Sequence, residues 1–180
     1  VALGAVAAAL GLPVATIGYP VRVVAFSPDG TRLAAVCSGS GTVKVIDSRT
    51  TKLVCSAKGQ SAAAFSPDGR RLAVGGTPGR ILEVETGLEL VAFPAPQTEV
   101  SCAVFSPDGA RVVAGEASEG KFALRIRDAG DGRELLAWDI PKGAVAVAFS
   151  PNGRLIASTG SESPVLLWDA ATGRQISALG

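Results

Sequence analysis

Gly115-Glu116-Ala117-Ser118-Glu119-Gly120-Lys121-Phe122 has the glycine and lysine spacing of a loop that wraps a phosphate. That chemistry needs a Ser or Thr hydroxyl after the lysine to reach magnesium, and Phe122 stands there. It also needs the loop to open into a helix whose N-terminus faces the phosphate. Residues 122–128 read as a strand instead, so the stretch is expected to connect two strands. Asp128-Ala129-Gly130-Asp131-Gly132 places oxygen ligands as a calcium loop would, but the distal glutamate is missing, which leaves a solvated turn. The chain has no histidine, which removes Ser-His-Asp and Cys-His nucleophile pairs and the histidine zinc motifs. Cys37, Cys55 and Cys102 are too scattered for a tetrahedral metal site. An odd count without close pairs favours reduced, buried thiols and a cytoplasmic setting. No catalytic residue, metal or cofactor is therefore expected.

Arginine recurs at Arg32, Arg70, Arg71, Arg111 and Arg154, each just after a Pro-Asp-Gly or Pro-Asn-Gly turn. A ring of arginines on one face is the footprint of phosphate binding. Asp29, Asp68 and Asp108 sit beside them, and the whole chain carries 17 basic against 16 acidic residues. The expectation is solvated hairpin tips without a nucleic-acid partner.

The elements that carry these residues follow from one pentapeptide. Phe-Ser-Pro-Asp-Gly starts at Phe26, Phe65 and Phe105, and Phe149-Ser150-Pro151-Asn152-Gly153 repeats it, a period near forty residues. Proline presets the second position of a tight turn and Gly30, Gly69, Gly109 and Gly153 supply positive φ. Apolar runs flank each turn, so each unit opens with a β-hairpin. The runs before the turns (62–65, 100–105, 144–149) show no alternation, which predicts first strands buried on both faces. The remaining apolar runs give four strands per unit: 21–26, 33–37, 43–46 and 53–56; 62–65, 72–75, 80–84 and 88–93; 99–105, 111–115, 122–127 and 134–138; 144–149, 155–159, 165–168 and 175–179. No segment holds helical periodicity over ten residues. The 47% apolar content suffices for a folded core.

Val165-Leu166-Leu167-Trp168-Asp169-Ala170-Ala171-Thr172-Gly173 resembles the Trp-Asp signature of WD40-repeat β-propellers, and the recurring turns resemble the first hairpin of that repeat. The resemblance covers about residues 12 to 180 and implies an all-β propeller segment of four four-stranded antiparallel blades, within a ring of about seven. Units of 19–58, 59–97, 98–141 and 142–180 are expected, with Trp168 buried between blades. Ile46-Asp47, Val84-Glu85 and Arg127-Asp128 stand where the other units should carry Trp-Asp. Ser40, Pro78, Lys121 and Glu162 stand where the family has an Asp. With histidine absent as well, the family's Asp–His–Ser–Trp network is not expected, and apolar packing should hold the blades.

The chain opens at Val1, which suggests a processed protein or a segment of a longer one. Gly11 to Ile17 lines up with Gly173 to Leu179, so 1–18 reads as the end of a preceding truncated blade. The alternative is a signal-peptide core or membrane-helix end. Residues 1–12 are shorter than the roughly 20 that span a bilayer and lack preceding basic residues. The resemblance implies a non-catalytic protein-interaction scaffold. Partner contacts are expected on the loops entering first strands (Tyr19, Lys58, Gln60, Glu99, Lys142) and joining second to third strands (Arg80, Glu119, Lys121, Glu162). Further blades or self-association should complete it. A ligand-sensing or regulatory domain attached to an enzyme, such as a bacterial membrane Ser/Thr kinase, is the other reading.

Overall fold

The structure is a computed structural model and describes residues 20–37, 39–94, 97–160 and 163–179. The readings of Gly11 to Ile17 and of Val1 to Val6 as strands, and the sites at Tyr19 and Glu162, lie outside the described residues.

Sixteen strands form four antiparallel sheets in chain order. Blade 1 holds β1 (Val21–Phe26), β2 (Arg32–Cys37), β3 (Thr42–Asp47) and β4 (Leu53–Lys58). Blade 2 holds β5 (Ala63–Phe65), β6 (Arg71–Val74), β7 (Arg80–Glu83) and β8 (Glu89–Ala92). Blade 3 holds β9 (Glu99–Phe105), β10 (Arg111–Ser118), β11 (Lys121–Asp128) and β12 (Glu134–Ile140). Blade 4 holds β13 (Ala146–Phe149), β14 (Leu155–Thr159), β15 (Val165–Asp169) and β16 (Gln175–Leu179). There is no helix among the described residues. Within each sheet the strands run in sequence order, and the first strands neighbour one another: β1 with β5, β5 with β9, β9 with β13. No comparable contact joins β13 to β1.

The turns form as their composition dictates. Gly30, Gly69, Gly109 and Gly153 have φ of 71°, 71°, 70° and 69°. Each donates its N–H to the serine carbonyl three residues back, as with Gly30 to Ser27 at 2.9 Å. Such φ values favour glycine because an added Cβ crowds the backbone.

Packing runs between blades. Leu72, Leu82 and Val43 join blades 1 and 2; Ile81, Phe93 and Val112 join blades 2 and 3; Leu124, Ile126 and Trp168 join blades 3 and 4. Each such fully buried aliphatic side chain contributes about 1.5–3 kcal/mol.

The doubly buried strand is the second of each unit rather than the first. β2, β6 and β10 are almost continuously buried, whereas Val24 and Phe26 on β1 are 41% and 51% exposed and Ala146 and Ala148 on β13 are exposed. A first strand is the edge of its sheet, and in blades 1 and 4 only one face has a described neighbouring blade. β5 and β9, each between two blades, have no exposed residue apart from Glu99.

The register corrects one assignment. Arg32, Arg71, Arg111 and Leu155 pair with Asp47, Glu83, Asp128 and Asp169. The blade 2 counterpart of Trp-Asp is therefore Leu82-Glu83, not Val84-Glu85. A two-residue slip keeps an apolar residue on the same face, so hydrophobicity cannot detect it.

Candidate functional site

Two faces result from the strand order. One carries the tips of the first hairpins and the turns between third and fourth strands; the other carries the second-to-third connections and the loops leading into each first strand. They are called the turn face and the loop face below.

On the turn face, polar groups are tied down within the molecule. Ser27 Oγ donates to Asp29 Oδ1 at 2.6 Å and accepts from the Arg32 N–H at 2.9 Å. Ser66 with Asp68, Ser106 with Asp108 and Ser150 with Asn152 repeat this arrangement. Ser27, Ser66 and Ser106 are buried. The Ser27 hydroxyl, then the Thr31 N–H, lower the Asp29 pKa to about 2. Asp68 and Asp108 are lowered by the same serine hydrogen bond.

The arginines after the turns are not all solvated tips. Arg70 and Arg154 are exposed as expected, but Arg32, Arg71 and Arg111 reach into other structure. Arg71 donates to the Gly109 and Ala129 carbonyls of blade 3 at 2.7 and 3.1 Å, and its guanidinium lies 5.2 Å from the Phe105 ring centre. Arg111 lies 5.8 Å from the Phe149 ring centre of blade 4. Arg32 pairs with Asp47 at 2.9 Å and with Glu85 of blade 2 at 3.0 Å. A guanidinium can bond in its plane and stack on its face at once. These arginines therefore clasp one blade to the next. The one sequence signal is that Arg32, Arg71 and Arg111 each follow their Phe by six residues.

Two further inter-blade features depart from pure apolar packing. The Arg127 guanidinium grips the Glu116 carboxylate with two hydrogen bonds of 2.9 and 3.1 Å, both residues being buried, and lies 5.3 Å from the Phe93 ring centre. Arg125 adds a 3.0 Å contact to Glu116 and pairs with Glu134. In blade 4, Trp168 is buried as expected, donates from Nε1 to Ser158 Oγ at 2.8 Å and packs against Trp138 with ring centres 5.7 Å apart and planes tilted by 47°. The serine–tryptophan link of the family's network thus does form there.

Both motif stretches form turns between strands. Gly115 to Phe122 lies on a hairpin in which Ser118 pairs with Lys121, and Glu119 and Gly120 turn the chain with φ of 50° and 77°. Asp128 Oδ1 accepts from the Gly130 N–H at 2.8 Å within its turn. Burial pushes the thiols of Cys37, Cys55 and Cys102 up, and all three are free.

The expected partner residues lie on the loop face. Lys58, Gln60, Glu99 and Lys142 flank the entries to first strands, and Glu119 and Lys121 flank a second-to-third turn; all six are exposed. Arg80 differs: it is half-buried and pairs with Glu89 at 2.8 Å.

Four successive four-stranded antiparallel blades define a β-propeller segment. The family model described as WD domain, G-beta repeat matches residues 11–47, 87–122 and 137–169, more than half of the sequence, so the chain belongs to the WD40-repeat family. WD40 repeats mark a protein-interaction scaffold kind of domain. No curated protein matches the chain. Among solved structures, it is similar to hydrazine synthase of Kuenenia stuttgartiensis, at 22% identity and a TM-score of 0.72 over 87% of this chain and 47% of that one. It is also similar to a chain of the mitotic checkpoint complex, at 19% identity and a TM-score of 0.75 over 90% of this chain and 53% of that one. The chain thus spans about half the length of these structures, which share its fold.

Proposed function

We propose that the chain is a non-catalytic protein-interaction scaffold and that its loop face is the binding surface. The observation that carries this is that the loop face exposes charges of both signs, whereas the turn face holds its carboxylates internally and leaves arginines such as Arg70 and Arg154 exposed. On the turn face, Asp29, Asp68, Arg32 and Arg71 are held in internal hydrogen bonds and ion pairs. On the loop face, Lys58, Glu99, Glu119, Lys121 and Lys142 are exposed and make no ion pair among the described residues. Charges of both signs, unspent and carried on rigid sheets, suit steering and register of a protein partner. They do not form the single-sign field that a polyanion would need.

The test is selection of short random displayed peptides on the full chain. Selected peptides should bind a variant carrying Lys58→Glu, Lys121→Glu and Lys142→Glu more weakly, and an Arg70→Glu, Arg154→Glu variant equally well. Peptides that respond only to the second variant, or a library without binders, would overturn the reading.

A further inference from the structure

Blade 4 leaves open a place that blade 3 fills. The register pairs Val112 with Arg127 and Ala114 with Arg125 in blade 3, and Ile156 with Trp168 and Ser158 with Leu166 in blade 4. Counting on from those pairs, Gly160 takes the place of Glu116, Leu166 that of Arg125 and Trp168 that of Arg127. The buried carboxylate and one of its two guanidinium partners are thus replaced by a hydrogen atom and an aliphatic chain. A cavity of about 260 Å³ lies here, between blade 4 and the end of β12, and Ile140, Pro141, Pro164 and Leu166 supply apolar walls. Ser158, buried, lines it too, and exposed Lys142 stands at its edge without an ion pair among the described residues. Residue 160 cannot fill the space itself, because a Cβ there would stand 2.5 Å from the Gly143 carbonyl oxygen.

We propose that this slot is a peptide-binding subsite of the loop face. It takes one branched apolar side chain, such as Leu or Ile, with an Asp or Glu beside it in the peptide meeting the Lys142 ammonium. The apolar walls exclude a charge from the interior, since an ion buried without a partner is strongly disfavoured. The unpaired ammonium at the edge selects the sign of the neighbour. This rests on the scaffold reading above and names which peptides it favours.

Peptides selected from the displayed library should therefore be enriched in adjacent apolar and acidic residues. Lys142→Glu, on an exposed side chain, should weaken them about fivefold, as expected when a rim ion pair becomes a repulsion. Leu166→Phe should fill the slot and abolish binding, while Arg70→Glu, on the exposed turn face, should leave slot binding unchanged. Trp168 Nε1 donates to Ser158, so its indole resonance should move when a selected peptide is added. Peptides that bind the Lys142→Glu chain as tightly as the original, with an unmoved Trp168 resonance, overturn the slot and leave the scaffold reading standing. A library that yields no binder overturns both.

Discussion

The serine of each first hairpin ties the turn together by donating to the carboxylate two residues on while accepting the N–H five residues on. The carboxylate is therefore more stable charged in the folded chain than in the unfolded one. The Asp29 pKa falls from 3.8 to about 2, chiefly through the Ser27 hydroxyl, and Asp68 and Asp108 move the same way. A depressed carboxylate pKa stabilises the fold above the ordinary value, and that contribution disappears as pH falls through the folded value. Melting temperature should thus drop between about pH 4 and pH 2. Replacing Asp29, Asp68 and Asp108 with Asn, which copies the uncharged Asn152 turn, should flatten the drop. Asp47 and Asp169, lowered by Thr50 and Thr172, leave a residual slope. Equal slopes in thermal melts of the two proteins would refute the assignment. At the neighbouring position, Gly69→Ala should cost about 1 kcal/mol or more because φ is 71° there. An unchanged denaturant midpoint would speak against that.

At the scale of elements, the blade 2–3 junction contains a buried ion pair where the blade 3–4 junction has an indole. Phe93 lies opposite Gly79, and Trp138 pairs with Leu124, at matching places on the fourth strands. Arg127 lies over the first aromatic, and Trp168 packs at a tilt against the second. Arg127→Ala leaves the buried Glu116 carboxylate with Arg125 as its remaining guanidinium partner and should cost up to about 3 kcal/mol, the low end for breaking a buried pair. Adding Glu116→Ala and changing residue 127 to Trp instead copies blade 4 and should recover most of that stability. Chemical denaturation checks both; a double variant as weak as Arg127→Ala would show that the pair does more than fill space. The blades were legible because turn, period and apolar runs agree four times. The charged junction was not, because Glu116 and Arg127 lie eleven residues apart and meet only once β10 and β11 pair. The Arg71 clasp escaped for a similar reason: its acceptors are backbone carbonyls in another blade, which no side-chain pattern announces. On the loop face, the exposure of Lys58, Gln60, Glu99, Glu119, Lys121 and Lys142 followed from strand order alone, whereas the slot needed the register that aligns Gly160 with Glu116.

For the whole molecule, the outer face of blade 4 decides how it behaves in solution. Val113, Leu124 and Ile126 of blade 3 are buried under blade 4. By register their counterparts in blade 4 are Ala157, Val165 and Leu167. These are only half-buried or, for Val165, 37% exposed, and Leu179, the counterpart of Trp138, is 54% exposed. An apolar sheet face of this kind is a surface that water disfavours, and its burial contributes about 25 cal/mol per Å². Residues 1–180 alone should therefore self-associate through it, unless further blades cover it in a longer chain. The clasp sharpens the point: blade 4 carries Leu155 where Arg32, Arg71 and Arg111 stand, so this face can bury without stranding a guanidinium. Sedimentation velocity should show species larger than a monomer that disappear on Val165→Glu with Leu179→Lys, with the melting temperature of the monomer unchanged. A chain that stays monomeric at high micromolar concentration without these changes would show that the face is already satisfied.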